Sequence, residues 1–290
     1  MATHGKGRGR GRGLLGREVE GEGLPRPGGG DPAANRIPVT NGSADETIPS
    51  EQVPKPSSAS SQESLSEIQS LLDNLTLDIS DEDLDKILEL SDQVAEDQES
   101  IKRLSEMVYS KCVSDREFAK TGAFICDKLA ALEINGTKFR SSLLSLVQAD
   151  YKEKDNLRSQ STSKFLNSFS MMCQIFGTMR TAGGEVFKPL VGPVFEFIMV
   201  IIDDPQCNSD EYEVLNEQLQ SIGRDLELND REKMEQLIEK IRLKIIKGNS
   251  TAQARCTLLE VVECYCRGWK NLSNDVTRFY CDTMMDILTD

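Results

Sequence analysis

Apolar residues after about residue 80 recur at intervals of three and four, the spacing that places side chains along one face of an α-helix. The clearest stripe consists of five large side chains: Phe165, Phe169, Met172, Phe176 and Met179. Further stripes of this kind follow one another to the end of the chain. No segment alternates between apolar and polar residues for long enough to suggest a β-sheet. The pattern therefore predicts an all-α fold.

The predicted helices come in pairs, and the first helix of each pair begins near residues 116, 162, 210 and 252. HEAT-type repeats, in which antiparallel helix pairs stack into a solenoid, have a period of about 40–47 residues. The spacing therefore predicts a HEAT-like helical-repeat solenoid of about five antiparallel helix pairs.

Polar residues and proline mark the predicted ends of these helices. Four residues are predicted to cap helix N-termini with a side-chain oxygen: Ser80, Asp115, Thr137 and Asp230. Asn135-Gly136 predicts a tight turn. Pro193 lies within an almost wholly apolar run, residues 187–202, and we expect it to kink or interrupt that helix.

The N-terminal region has a different composition. Residues 1–60 contain few aliphatic residues and no aromatic residue, so they cannot bury enough surface to offset the entropy of ordering. We predict three segments: a disordered Arg/Gly- and Pro/Ser-rich arm and linker at 1–62, an acidic leading helical segment at 63–80, and the solenoid at 81–290.

Residues 5–17 read GKGRGRGRGLLGR. Alternating glycine and arginine cannot form a core, but a flexible cationic arm can contact RNA phosphates and stack its guanidinium groups on bases. We predict RNA contacts by four residues: Lys6, Arg8, Arg10 and Arg12. The alternative is a low-complexity tail without a ligand.

The net charge of -14 is concentrated in one stretch. Residues 61–100 contain thirteen acidic residues and one basic residue, whereas the rest of the chain is nearly balanced. This argues against nucleic-acid binding over the whole surface but leaves local basic patches open. The acidic stretch itself is typical of a solvated helix face.

The sequence offers little for catalysis, metal binding or membrane insertion. The eight cysteines form no CxxC motif and His4 is the only histidine, which disfavours a zinc site and suits a reducing compartment. Gly136-Thr137-Lys138 lacks the upstream glycine of a phosphate-binding loop. No apolar run is long enough to span a bilayer and none resembles a signal peptide. We therefore predict no enzyme activity, cofactor, metal, small-molecule substrate or membrane contact.

Several phrases resemble the middle domain of the eukaryotic initiation factor 4 gamma family. They are Lys111-Cys-Val-Ser-Asp-Arg116, Cys126-Asp-Lys128, Gly136-Thr-Lys-Phe-Arg140, Phe176-Gly-Thr-Met-Arg180, Leu258-Leu-Glu-Val-Val-Glu263 and Gly268-Trp269. The likeness covers roughly residues 80–290. Within the family it resembles the translation initiation factor dependent on the nuclear cap-binding complex and the adaptor of the histone stem-loop-binding protein.

This resemblance implies a non-catalytic adaptor in mRNA translation initiation. Family members bridge mRNA, or a factor bound to mRNA, to translation initiation factors and DEAD-box RNA helicases. A cytoplasmic location is expected, with the nucleus as a second site. The Arg/Gly arm stands in place of the long half that docks the nuclear cap-binding complex, so we do not expect that complex to bind. An RNA-processing scaffold in splicing, export or decay is the alternative function.

Basic residues at predicted helix ends are the candidates for partner binding. We expect them to gather along one edge of the stack as a basic strip: Lys138, Arg140, Lys152, Lys154, Arg158, Lys164, Arg180 and Lys188. For Lys152, Lys154 and Arg158 the alternative is that they complement the carbonyl end of their own helix. Trp269 is a further candidate, either as an exposed binding residue or as a residue packed between the last helix pairs.

Overall fold

The structure is a computed structural model and describes residues 58–75, 79–95, 97–247 and 250–289. These segments form twelve α-helices, one short hairpin and one 3₁₀ turn. The helices are α1 (Ser58–Asn74), α2 (Asp81–Val94), α3 (Gln98–Ser114), α4 (Ala119–Leu129), α5 (Phe139–Lys152), α6 (Lys154–Gln160), α7 (Thr162–Thr178), α8 (Val191–Asp203), α9 (Ser209–Asn229), α10 (Arg231–Lys247), α11 (Ala252–Cys266) and α12 (Asn274–Thr289). The predicted all-α class is confirmed.

Helices α4, α7, α9 and α11 lie side by side in one row. Hydrogen bonds between neighbouring helices of this row join residues one repeat apart. The Gln174 side-chain amide donates to Gln218 at 2.9 Å, and the Asn216 amide donates to Glu260 at 2.7 Å. Each pair is 44 residues apart in sequence, which lies within the predicted period. Arg180 bonds Asp225 and Gln253 bonds Glu213 with the same order along the helices, so α7, α9 and α11 run parallel.

The other helices complete the repeats. Within the described residues, five successive pairs are α1–α2, α3–α4, α5–α7, α8–α9 and α10–α11, and α12 follows against α11. The short α6 lies between α5 and α7. The predicted helical-repeat solenoid is therefore confirmed for the part of the chain that the structure describes. Residues 1–57 of the predicted disordered arm and linker lie outside that part, whereas residues 58–62 belong to α1.

The middle of the stack contains the main core. Phe165 and Phe169 on α7 are fully buried and their rings lie 5.3 and 5.9 Å from the ring of Phe197 on α8. Eleven residues of α7 are buried, including polar Asn167 and Ser168, because helices pack on several of its sides. Burial of such large apolar side chains is the dominant favourable term in folding.

Two of the four predicted caps are confirmed. The Ser80 side chain accepts a hydrogen bond from the Asp83 N–H at the start of α2, and Asp230 accepts one from the Lys233 N–H at the start of α10. Acidic residues fill the first turn of α2, where the helix dipole favours them.

The other two predicted caps are wrong. Asn135 and Gly136 adopt positive φ angles of 48° and 81°, so they form a tight hairpin between β1 (Glu133–Ile134) and β2 (Thr137–Lys138). Thr137 therefore lies in β2 and α5 begins after it. Asp115 accepts hydrogen bonds from the N–H groups of a turn, and α4 starts only at Ala119.

Pro193 does not interrupt a helix. It is the third residue of α8, where a backbone N–H has no partner within the helix, so proline is tolerated there. The apolar run predicted as one helix is instead a 3₁₀ turn, Lys188–Leu190, followed by α8. Phe187 consequently precedes the helical segment and is free to pack against a different helix.

Candidate functional site

A groove separates α5 from the start of α8. Leu144 and Tyr151 belong to its α5 wall, Phe187 and Leu190 to the opposite wall, and Met172 of α7 lies at its floor. The volume enclosed is about 280 Å³. Most of the lining side chains are apolar or aromatic, as is usual for sites that bind small molecules or peptide side chains. We call this surface the α5–α8 groove.

One end of the α5–α8 groove is positively charged. The Arg140 guanidinium lies 5.4 Å from the centre of the Phe187 ring, a cation–π contact. Lys138 and Lys188 lie at the same end, and each pairs with a glutamate, at 3.2 and 3.3 Å. No carboxylate of the described residues pairs with Arg140, and its buried Nε has no hydrogen-bond acceptor.

The other end of the groove is neutralised. The Tyr151 hydroxyl donates a 2.6 Å hydrogen bond to Glu196 on α8, and this bond raises the pKa of Tyr151 to about 12. The Lys154 ammonium lies 3.8 Å from the same carboxylate and 4.8 Å from the centre of the Tyr151 ring. The two ends of the groove therefore differ in charge, and the unpaired cation, Arg140, lies at the N-terminus of α5.

The predicted partner-binding residues lie on two edges of the stack because paired helices run antiparallel. The edge at the start of α5 and the ends of α7 and α11 carries Lys138, Arg140, Arg180, Lys188 and Trp269. The edge at the end of α5 and the start of α7 carries Lys152, Lys154, Arg158 and Lys164. The expectation of one continuous strip is therefore not met, although partner binding by each residue stays a prediction. Lys152 and Lys164 are exposed.

Arg158 is occupied within the fold. Its guanidinium donates to Asp204 at 2.7 Å and forms an ion pair with Glu211 at 2.5 Å. Only 15% of the Arg158 side chain and 4% of the Glu211 side chain are exposed. Burial lowers the pKa of Arg158, but the bonds to both carboxylates outweigh it and leave that pKa raised. Arg158 thus joins α6 to α9 and to the end of α8.

Arg180 and Trp269 also have intramolecular partners, both near the end of α9. The Arg180 guanidinium donates to Asp225 at 3.2 Å and to two carbonyl oxygens at the end of α7. The Trp269 indole N–H donates to Glu227 at 2.9 Å, and the ring packs directly on Gly223. Trp269 is half-buried between α9 and α11, so only part of its indole faces solvent.

The exposed face of α9 is acidic. It presents Asp210, Glu213 and Glu217, and Glu260 of α11 lies beside them. Arg116 is the one cation among the described residues that line the grooves beside Asp210 and Glu217, and Arg224 lies further along the exposed side of α9. Carboxylates repel phosphate groups, so this face is unsuited to RNA.

Reactive side chains are scarce in the described part of the chain. Burial raises the pKa of Cys112 to about 12 and that of Cys264 to about 11, which keeps both as thiols at neutral pH. The described residues contain no cluster of metal-ligating side chains. Nor does any helix among them combine the length and apolar character needed to cross a bilayer.

Comparison with known families gives a match between residues 65–264 and the MIF4G domain model. The chain belongs to the MIF4G domain family. The matched segment begins within α1 and ends in α11, so it contains the whole α5–α8 groove. Trp269 and α12 lie beyond it, and the predicted boundaries at residues 62 and 80 stay predictions.

Several relatives share this MIF4G domain. The chain is 31% identical over 193 residues to the CBP80/20-dependent translation initiation factor of Xenopus tropicalis, a match that covers 67% of this chain but 33% of that protein. It is 27% identical to MIF4G domain-containing protein B of Danio rerio, covering 64% of this chain and 85% of the relative. The human MIF4G domain-containing protein is 25% identical, over 59% and 78% of the two chains.

Sequence reasoning found the cations of this MIF4G domain but missed the groove. Tyr151, Phe187 and Glu196 come from separate segments, and no local spacing connects them. Asp204 is not among the predicted site residues, yet it accepts a hydrogen bond from Arg158, 46 residues earlier. The predicted RNA-binding residues, Lys6, Arg8, Arg10 and Arg12, lie outside the described residues.

Proposed function

We propose that this chain is a non-catalytic adaptor in mRNA translation initiation. In this role the MIF4G domain bridges mRNA, or a factor bound to mRNA, to translation initiation factors and a DEAD-box RNA helicase. The observation that carries the proposal is a MIF4G domain that presents an apolar groove with an unpaired cation at one end. The relative from Xenopus tropicalis is named a translation initiation factor, which supports this process over others.

The chemistry of the described residues supports a non-catalytic role. The only histidine is His4, outside the described segments, and buried thiols such as Cys112 are held protonated. A nucleophile without an adjacent base or a lowered pKa is weak at neutral pH. An adaptor needs neither group, because it acts by holding two partners on one rigid surface.

The Arg/Gly arm is proposed as the RNA-binding part of the adaptor. Lys6, Arg8, Arg10 and Arg12 supply cations without bulky neighbours, and single-stranded RNA binds such segments through phosphate contacts and stacking. The acidic face of α9 supports RNA binding by the arm rather than by this side of the helical stack, because carboxylates disfavour RNA there. Cytoplasmic location follows from the same proposal.

The test is recovery of the tagged full chain from cytosol, with and without RNase, followed by identification of co-purifying proteins. Retention of initiation factor 3 or a DEAD-box helicase after RNase treatment is the expected result, because the proposed contacts are direct. Recovery of splicing or decay factors alone would replace the proposal with the RNA-processing scaffold. Loss of every partner would mean that the Arg/Gly arm, through RNA, is the main tether.

A further inference from the structure

The residues of α5 that face the groove form a continuous stripe. Leu144, Gln148 and Tyr151 line the groove, and Arg140 precedes them and contacts the Phe187 ring of the opposite wall. These four residues are spaced by four, four and three, so they lie one above another on one side of the helix. From Arg140 to Tyr151 the helix rises about 16 Å. An extended chain of about five residues has the same length. The groove therefore has the dimensions of a short peptide segment.

The groove is charged at one end only. Arg140 has a buried, unbonded Nε and no carboxylate partner within the described structure, whereas Lys154 at the far end is neutralised by Glu196. No side chain caps the N-terminus of α5, so the positive end of that helix dipole adds to the charge of Arg140. Burying a cation partly, on an aromatic ring and without a counterion, raises the free energy of the unbound protein. An anion that binds there and pairs with the cation is therefore stabilising.

We propose that the α5–α8 groove binds a short extended segment of a partner protein, with apolar side chains at alternate positions and a carboxylate that meets Arg140. Apolar side chains fill the space between Leu144 and Phe187, and the carboxylate bonds the guanidinium fork. This inference rests on the adaptor function proposed above and specifies the chemistry of one of its partners.

The first test is selection of random peptides on the immobilised full chain, run in parallel on wild type and Arg140→Glu. Wild type should enrich peptides with Asp or Glu next to alternating apolar residues, and Arg140→Glu should lose the acidic preference. Enrichment of basic peptides, the same enrichment on both proteins or no enrichment at all would each overturn the proposal. So would a single-stranded 12-mer of RNA that binds in an Arg140-dependent manner and displaces the enriched peptide.

The second test measures affinity for one enriched peptide by fluorescence polarisation. Arg140→Glu should weaken binding about tenfold or more, whereas Arg224→Glu, the same exchange at an exposed position of α9, should leave it unchanged. A peptide with Lys in place of its carboxylate residue should bind Arg140→Glu better than wild type. That reversal cannot arise from misfolding. Its absence, or an unchanged affinity of Arg140→Glu for the original peptide, would contradict the assignment. If initiation factors still co-purify with Arg140→Glu, the proposed adaptor function stands and only the proposed role of the groove is refuted.

Discussion

Helices α7 and α12 have nearly the same length and both carry an apolar stripe, yet they are buried to opposite extents. Eleven of the 17 residues of α7 are buried, whereas none of the 16 residues of α12 is. Phe169 of α7 is fully enclosed, while Phe279 of α12 is 62% exposed. In a stack of repeats, burial depends on having neighbours on both sides, so position in the stack decides what an apolar stripe contributes.

The largest expected effect separates these two helices directly. Phe169→Ala should lower the free energy of unfolding by about 3–5 kcal/mol, because it leaves a cavity among packed rings. Phe279→Ala, the same change on α12, should alter it by no more than about 0.5 kcal/mol. Urea unfolding of both variants provides the measurement, and equal losses would refute the comparison.

The second effect concerns ion pairs in the middle of the stack and at its surface. Arg158→Ala should destabilise the fold by about 3 kcal/mol, because it leaves the buried Glu211 carboxylate without a counterion. Arg231→Ala breaks an exposed pair with Glu235 and should cost less than about 0.5 kcal/mol. Thermal and urea unfolding would test both. A small cost for Arg158→Ala would mean that water reaches Glu211.

A smaller effect is expected at the contact between α9 and Trp269. A Cβ atom at Gly223 would come within 2.5 Å of the indole ring, so Gly223→Ala should cost about 1–3 kcal/mol through overpacking. Gly192→Ala in α8 is the control, since a Cβ there meets no atom within 4 Å. Tryptophan fluorescence should change only for Gly223→Ala, because Trp269 is the only tryptophan in the chain.

The smallest effect depends on pH. The hydrogen bond from Arg158 lowers the pKa of Asp204 below its usual 3.8, so the ionised carboxylate stabilises the fold above that pH and this contribution is lost as pH falls through the lowered value. Wild type should therefore exceed Asp204→Asn in unfolding free energy at pH 6, with a gap that narrows below pH 4. Urea unfolding midpoints of the two proteins at pH 6 and below pH 4 measure this difference. A difference that does not change with pH would exclude the proposed link between the ionisation of Asp204 and stability.

Local features of the fold could be predicted because their causes are local. Ser80 and Asp230 cap helices through groups three residues away, and the apolar stripes of α7 and α9 repeat every turn. Thr137 does not cap α5 because the hairpin turn at Asn135-Gly136 places Thr137 in strand β2. A threonine at this position matches the sequence signature of an N-cap whether or not it belongs to a strand.

The candidate site could be predicted only in part, because it depends on contacts between repeats. Charge and helix position pointed to Arg140 and Arg158 alike, but only packing shows that Arg158 already has Asp204 and Glu211 as partners. The groove beside Arg140 exists because Phe187 lies outside α8 and packs towards α5. Neither the ion pairs of Arg158 nor the groove beside Arg140 can be predicted from the sequence of a single helix.

The most direct measurement is sedimentation of the tagged full chain through a sucrose gradient of cytosolic extract, comparing wild type with Arg140→Glu and Arg224→Glu. A translation adaptor that uses the α5–α8 groove predicts wild type and Arg224→Glu in the 40S and 48S fractions, with Arg140→Glu shifted to the top of the gradient. Wild type absent from those fractions, or Arg140→Glu present in them at wild-type level, would contradict it.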